Sequence, residues 1–79
     1  MKELLHYILT GILGNDNFEI REVENENNRL ELTIVADKEN MGLIIGKGGS
    51  TIKAIRNLLR VKSTLDKTSV YVLVEEKID

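Results

Sequence analysis

Cysteine is absent from this chain, which excludes disulfides and thiolate-bound metal. The one histidine, His6, cannot assemble a histidine metal cluster. No apolar run approaches the roughly 20 residues of a membrane-spanning helix. The N-terminal apolar residues follow Glu3 and recur at helical intervals instead of gathering into a signal-peptide core, so a cytoplasmic protein is expected. Positive charge is in deficit overall: 11 basic against 13 acidic side chains give a formal net charge of −2. Seventy-nine residues leave room for one domain, expected to span 1–79, whose small core gains from a partner.

The distribution of charge says more than its total. Residues 1–37 carry three basic and eight acidic side chains, net −5. Residues 38–67 carry seven basic side chains against Glu39 and Asp66, net +5. Such asymmetry bears on partners and not on fold. The positive block also contains the most informative run in the chain, Ile44-Ile45-Gly46-Lys47-Gly48-Gly49-Ser50-Thr51-Ile52. Here an apolar segment runs into Gly-Lys-Gly-Gly and a second apolar-periodic segment follows at once. Two helices joined by so tight a turn bring backbone N–H groups and one lysine to the surface together. A helix N-terminus already favours anions, and glycine lets a phosphodiester backbone approach the main chain closely.

The remaining elements follow from periodicity. Leu4, Leu5, Ile8, Leu9, Ile12 and Leu13 predict an amphipathic helix over residues 2–13, capped by Gly14. Gly11 within it costs about 1 kcal/mol relative to alanine and is read as room for a neighbouring element. Phe18, Ile20 and Val23 predict a strand whose alternation slips at a bulge. Leu30, Leu32, Ile34 and Ala36 predict its hairpin partner, with Glu31 and Thr33 on the opposite face. Asp37 is placed as the N-cap of a helix from about Lys38 to Ile45, with Met41, Ile44 and Ile45 turned inward. The next helix starts at Gly49 or Ser50 and buries Ile52, Ile55, Leu58 and Leu59, and residues 61–68 read as a solvated loop. Val70 to Val74 predict a mostly buried strand, and Glu75 to Asp79 a frayed tail. The order α-β-β-α-α-β gives an α+β fold in which the last strand returns parallel, by a right-handed crossover. Three helices then cover one face of a three-stranded mixed sheet, and the other face, with Tyr71 and Leu73, is left as a candidate meeting surface.

With this context, Ile45-Gly46-Lys47-Gly48-Gly49-Ser50-Thr51-Ile52 resembles the apolar-Gly-x-x-Gly-x-x-Ile signature of KH domains, and the element order resembles their type II, prokaryotic arrangement. The resemblance covers essentially the whole chain. The opening Met1-Lys2-Glu3-Leu4-Leu5 and the segment from Met41 to Arg56 resemble the small stand-alone bacterial KH proteins of the KhpA type.

That resemblance implies a non-enzymatic RNA-binding protein, an RNA chaperone or post-transcriptional regulator. It also implies a homodimer or a pairing with a larger KH-containing protein. The loop would clamp the backbone of about four single-stranded nucleotides. Gly46, Lys47, Gly48 and Gly49 then form the clamp, and the amides of Ser50 and Thr51 face phosphate. Met41, Ile44, Ile45, Ile52 and Ile55 form the groove wall; Met41 and Ile44 are the better candidates for touching a base, and the rest read as core. Lys53 and Arg56 line the groove edge. Arg60, Lys62 and Lys67 fall in or beside the family's variable loop. All these charges equally fit a solvated surface. The three aromatics, Tyr7, Phe18 and Tyr71, lie away from the clamp in sequence, so base stacking is not expected to help. Two or three phosphate contacts give a shallow salt slope, about −2 or less in log K against log salt. Weak, base-tolerant binding by one domain follows.

Two rival readings compete with this one. Gly42 to Gly48 superficially resembles a phosphate-binding P-loop. However, three residues and not four separate Gly42 from Gly46, Gly48 stands where Ser or Thr is needed, and no strand leads in. No cofactor, metal, small-molecule substrate or membrane partner is expected. The other rival is a protein-interaction module that uses the KH fold with little intrinsic RNA affinity.

Overall fold

The computed structural model describes residues 1–78. It contains three helices, α1 (Lys2–Leu13), α2 (Lys38–Ile45) and α3 (Ser50–Leu65), and three strands, β1 (Phe18–Glu24), β2 (Arg29–Ala36) and β3 (Ser69–Glu76). The sheet order is β1-β2-β3. β1 and β2 are antiparallel, from Phe18 opposite Ala36 to Glu24 opposite Leu30. β3 lies parallel to β2, from Arg29 opposite Ser69 to Ala36 opposite Glu76. This is the type II KH architecture, α+β with a mixed three-stranded sheet and the helices on one face.

Apolar spacing decides which faces close. Leu5 and Leu9 of α1, Leu32 and Ile34 of β2, Ile44 of α2 and Ile55 and Leu59 of α3 meet in one core. At about 25 cal/mol per Å² of apolar surface removed from water, such contacts are the main favourable term. Gly14 caps α1 in the left-handed region, φ 71°. The carboxylate of Asp37 accepts from the Asn40 amide at 2.8 Å and starts α2 as expected. Asn40 itself is buried, and its side-chain amide donates to the Asn17 carbonyl at 3.2 Å. That bond ties the α1–β1 loop to the helix leading into the glycine turn.

Several local expectations are overturned. The β1–β2 ladder is unbroken, so the bulge at Val23 does not form; Val23 pairs with Glu31 on the outward face and is exposed. An added side chain at Gly11 would meet nothing within 4 Å, so no element packs there. α3 continues through Leu65, and the 61–68 loop shrinks to residues 66–68. Leu58 faces solvent, and Ser63 takes the next buried position after Leu59. In β3 only Val72 is fully buried, because β3 is an edge strand with helices on one side alone. The tail is ordered further than expected: β3 reaches Glu76, and the Lys77 amide donates to the Ala36 carbonyl at 2.7 Å. Asp79 lies outside the described residues. No described helix is long and apolar enough to cross a membrane.

Candidate nucleic-acid interface

The glycine turn is one 3-10 turn, Lys47–Gly49, between α2 and α3. Gly46 has φ 76° and ψ 172°, a region essentially reserved for glycine. A Cβ there would overlap the Thr51 hydroxyl oxygen and lie 2.9 Å from the Thr51 amide nitrogen. The Gly46 amide donates to the Gly42 carbonyl at 2.9 Å, and the Gly49 amide donates to the Gly46 carbonyl at 3.2 Å. Gly48 and Gly49 are both left-handed, φ 65° and 78°. Lys47, Gly48 and Ser50 are exposed. No side chain caps the N-terminus of the 16-residue α3. The Ser50 amide donates back to the Lys47 carbonyl, so what the start of α3 offers beside Lys47 is the positive end of its dipole and not a free Ser50 donor.

The helices divide the expected wall residues differently from the sequence reading. Met41 (6 % exposed) and Ile44 (0 %) sit in the core cluster with Ile52 and Ile55, so the two favoured base contacts are not presented to a ligand. Ile45 is partly exposed, and Leu43, which the spacing did not single out, is exposed beside it. In a helix of eight residues ending at a tight turn, the inward stripe falls on positions 41 and 44, which turns 43 outward. Lys53 is exposed, one turn into α3.

Arg56 lies over the free edge of β3, where Nε and Nη2 donate to the Val72 carbonyl at 3.3 and 3.1 Å. Ion pairs among the described residues are Arg21–Glu75 and Lys62–Asp66, so Lys47, Lys53, Arg56 and Arg60 keep their charge free for an anion. α3 contains four basic residues and no acidic one. Arg60 and Lys62 thus belong to the helix, and Lys67 alone occupies the short turn, in a left-handed conformation with φ 56°.

A groove of about 510 Å³ opens between α3 and β3. Arg56, Arg60, Ser63 and Thr64 line it from the helix, and Thr68 to Leu73 from the turn and strand. No carboxylate of the described residues lines it. Tyr71 alternates with the inward-facing Val70 and Val72, so its ring lies on the open sheet face, where the Arg29 guanidinium carbon is 5.7 Å from the ring centroid.

A family model described as KhpA/KhpB, KH domain, matches residues 2–74. The chain is similar to an RNA-binding protein KhpA of Chlamydia trachomatis, 38% identical over 79 residues, covering 98% of this chain and 99% of that one. The protein of that name from Thermotoga maritima is 40% identical over 60 residues, covering 75% and 79% of the two chains. Its counterpart in Chlamydia caviae is 43% identical over 61 residues, covering 75% and 76%. The relatives are named for binding and not for catalysis. A glycine turn of this geometry, a match from the first helix into the last strand and relatives aligned nearly end to end agree: the chain belongs to the KhpA/KhpB family of KH domains.

Proposed function

We propose that the protein binds single-stranded RNA through Gly46 to Gly49, as one KH domain of the cytoplasm acting as an RNA chaperone or post-transcriptional regulator. The observation that carries this reading is the N-terminus of α3, with no side-chain cap among the described residues, at a turn of three positive-φ glycines, with Lys47 exposed and in no ion pair among the described residues. The Ser50 amide is taken up by the Lys47 carbonyl, and Lys53 and Arg56 extend the positive surface along α3. The apolar contact for a base comes from Leu43 and Ile45 in place of Met41 and Ile44. Clamping backbone while reading little base chemistry suits a protein that holds many RNAs briefly.

The same reading includes a homodimer or a larger KH-containing partner. It is supported by Leu58, Val61 and Leu65, which are 56, 62 and 75 % exposed in one stripe on the solvent side of α3. This stripe also favours the second reading, a protein-interaction module with little RNA affinity.

Fluorescence anisotropy of a labelled unstructured RNA, at low and moderate salt, separates the two. The natural chain is expected to bind, and Lys47→Asp/Gly48→Asp to lose binding while still unfolding in one cooperative transition, its midpoint lowered by about 4–8 °C for the left-handed backbone at Gly48. An added side chain at Gly48 meets nothing within 4 Å. Equal binding by both proteins, or none by either, would leave the interaction module as the better account.

A further inference from the structure

The clamp and the α3 stripe lie on the helical side of the sheet, and the other face of the sheet looks away from all three helices. Val23, Tyr71 and Leu73 point out of that face and are 52, 47 and 47 % exposed. Register sets Val23 and Tyr71 at one level, either side of Glu31, and Leu73 at the next level, beside Thr33. The charges around this apolar strip are ordered by sign. At one end Arg29 stands over the Tyr71 ring. At the other end Glu19 and Glu75 flank Val35 on its two neighbouring strands. Arg21 reaches across β2 to Glu75 at 3.5 Å and helps to cover Val35, which is buried although it faces outward.

We propose that this face docks a second copy of the chain, sheet against sheet, about a twofold axis lying in the interface, perpendicular to the strands and level with Leu32. Charge selects both occupant and arrangement. Such an axis reverses strand direction, so Arg29 of each copy falls level with Val35 of the other, between Glu19 and Glu75 there. The same operation lays Tyr71 of each copy on Leu73 of the other. A twofold parallel to the strands would set Arg29 on Arg29 and Glu31 on Glu31, like charge on like. RNA is the poorer occupant, because Arg21 and Arg29 against Glu19, Glu31 and Glu75 leave the face net acidic. Strands of eight residues at about 3.3 Å each, roughly 4.8 Å apart, give a face of about 14 by 26 Å. Two such faces in contact come near the lower limit of about 1,000 Å² for a specific interface. The contact is therefore weak, separate from the α3 stripe and independent of the clamp.

Val61→Asp puts a charge in the α3 stripe, so association that remains in this variant belongs to another surface. Its average mass in sedimentation equilibrium is expected to stay monomeric at micromolar concentration and to rise towards a dimer at millimolar. Tyr7 and Tyr71 are the two tyrosines of a chain without tryptophan, so adding Tyr7→Phe leaves Tyr71 as the sole tyrosine emitter. Its emission should change over the same concentration range. Arg29→Glu or Glu19→Arg, each added to Val61→Asp and each shown to melt in one cooperative transition, should weaken the association at least about tenfold by setting like charges together. Mixing the two should recover most of it. The reversed charges then face each other across one half of the interface, and the natural ones across the other. Affinity for a uridine tetranucleotide should be the same in all these chains, so a failure of the sheet contact and a failure of the clamp read separately. A Val61→Asp chain that stays monomeric at millimolar concentration, or folded charge variants that associate as it does, would overturn the proposal. So would a mixture that fails to recover, or a rise in mass with constant Tyr71 emission.

Discussion

Gly46 and Gly48 differ in what a side chain would encounter. At Gly46 the backbone lies where non-glycine residues are strained, and the Thr51 side chain fills the space a Cβ would need. At Gly48 the left-handed backbone disfavours a side chain, but the space is open. Gly46→Ala is therefore expected to cost about 2–3 kcal/mol and to misplace the α3 amides. Gly48→Ala should cost about 1 kcal/mol and keep most of the binding. Thermal melts read the difference, since 1 kcal/mol moves the midpoint of so small a domain by about 4–8 °C. Equal shifts for the two would mean that backbone conformation alone, and not contact with Thr51, governs the turn. The glycine pattern was legible in the sequence because each residue of the motif is chemically distinctive. Which glycine is sterically required was not, since that depends on a hydroxyl five residues away. Met41 and Ile44 failed as base contacts for a similar reason: an apolar residue next to a functional turn looks the same whether it faces the ligand or the core.

α3 shows how polar residues can hide a continuing element. Lys62, Ser63, Thr64 and Asp66 read as loop, yet the Ser63 and Thr64 hydroxyls both donate to the Arg60 carbonyl at 2.9 Å, and Lys62 pairs with Asp66 at 3.5 Å, one turn on. Ser63 is small enough to enter the core four residues after Leu59, so the buried stripe goes on without an apolar residue to announce it. α1, β2 and α2 were legible because their stripes are apolar and their caps are Gly14 and Asp37. The longer helix leaves a short turn in which Lys67 adopts φ 56°, costly for a residue with a side chain. Lys67→Gly should relieve that strain and, after the extra backbone entropy of glycine, stabilise the protein by about 0.5–1 kcal/mol. Urea denaturation would show it as a higher midpoint at unchanged slope. A lower midpoint would mean that the Lys67 side chain makes a contribution larger than the strain.

At the level of the whole molecule, α2, the glycine turn and α3 gather a segment of net charge +5, and α1 with the β1–β2 hairpin one of −5. Basic charge therefore surrounds both the clamp and the solvent stripe of α3. In that stripe Ala54, Leu58, Val61 and Leu65 recur at intervals of four, three and four, the spacing of a helix–helix seam. An antiparallel pairing of two α3 helices about a twofold axis between residues 59 and 60 sets Leu58 against Val61 of a second copy. The same axis sets Ala54 against Leu65, small against large. Val61→Asp should convert a dimer to a monomer in sedimentation velocity and leave tetranucleotide affinity intact. It should also weaken a long RNA at least tenfold by loss of the second clamp. Salt gives the sharper test, because the two associations depend on it with opposite sign. Two α3 helices approaching each other bring together Lys53, Arg56, Arg60 and Lys62 from each side, so screening their repulsion should strengthen the dimer between low and moderate salt. RNA binding releases counterions and should weaken over the same range. A dimer that weakened in step with RNA affinity would be held by charge and not by the apolar stripe, and the seam on α3 would have to be abandoned.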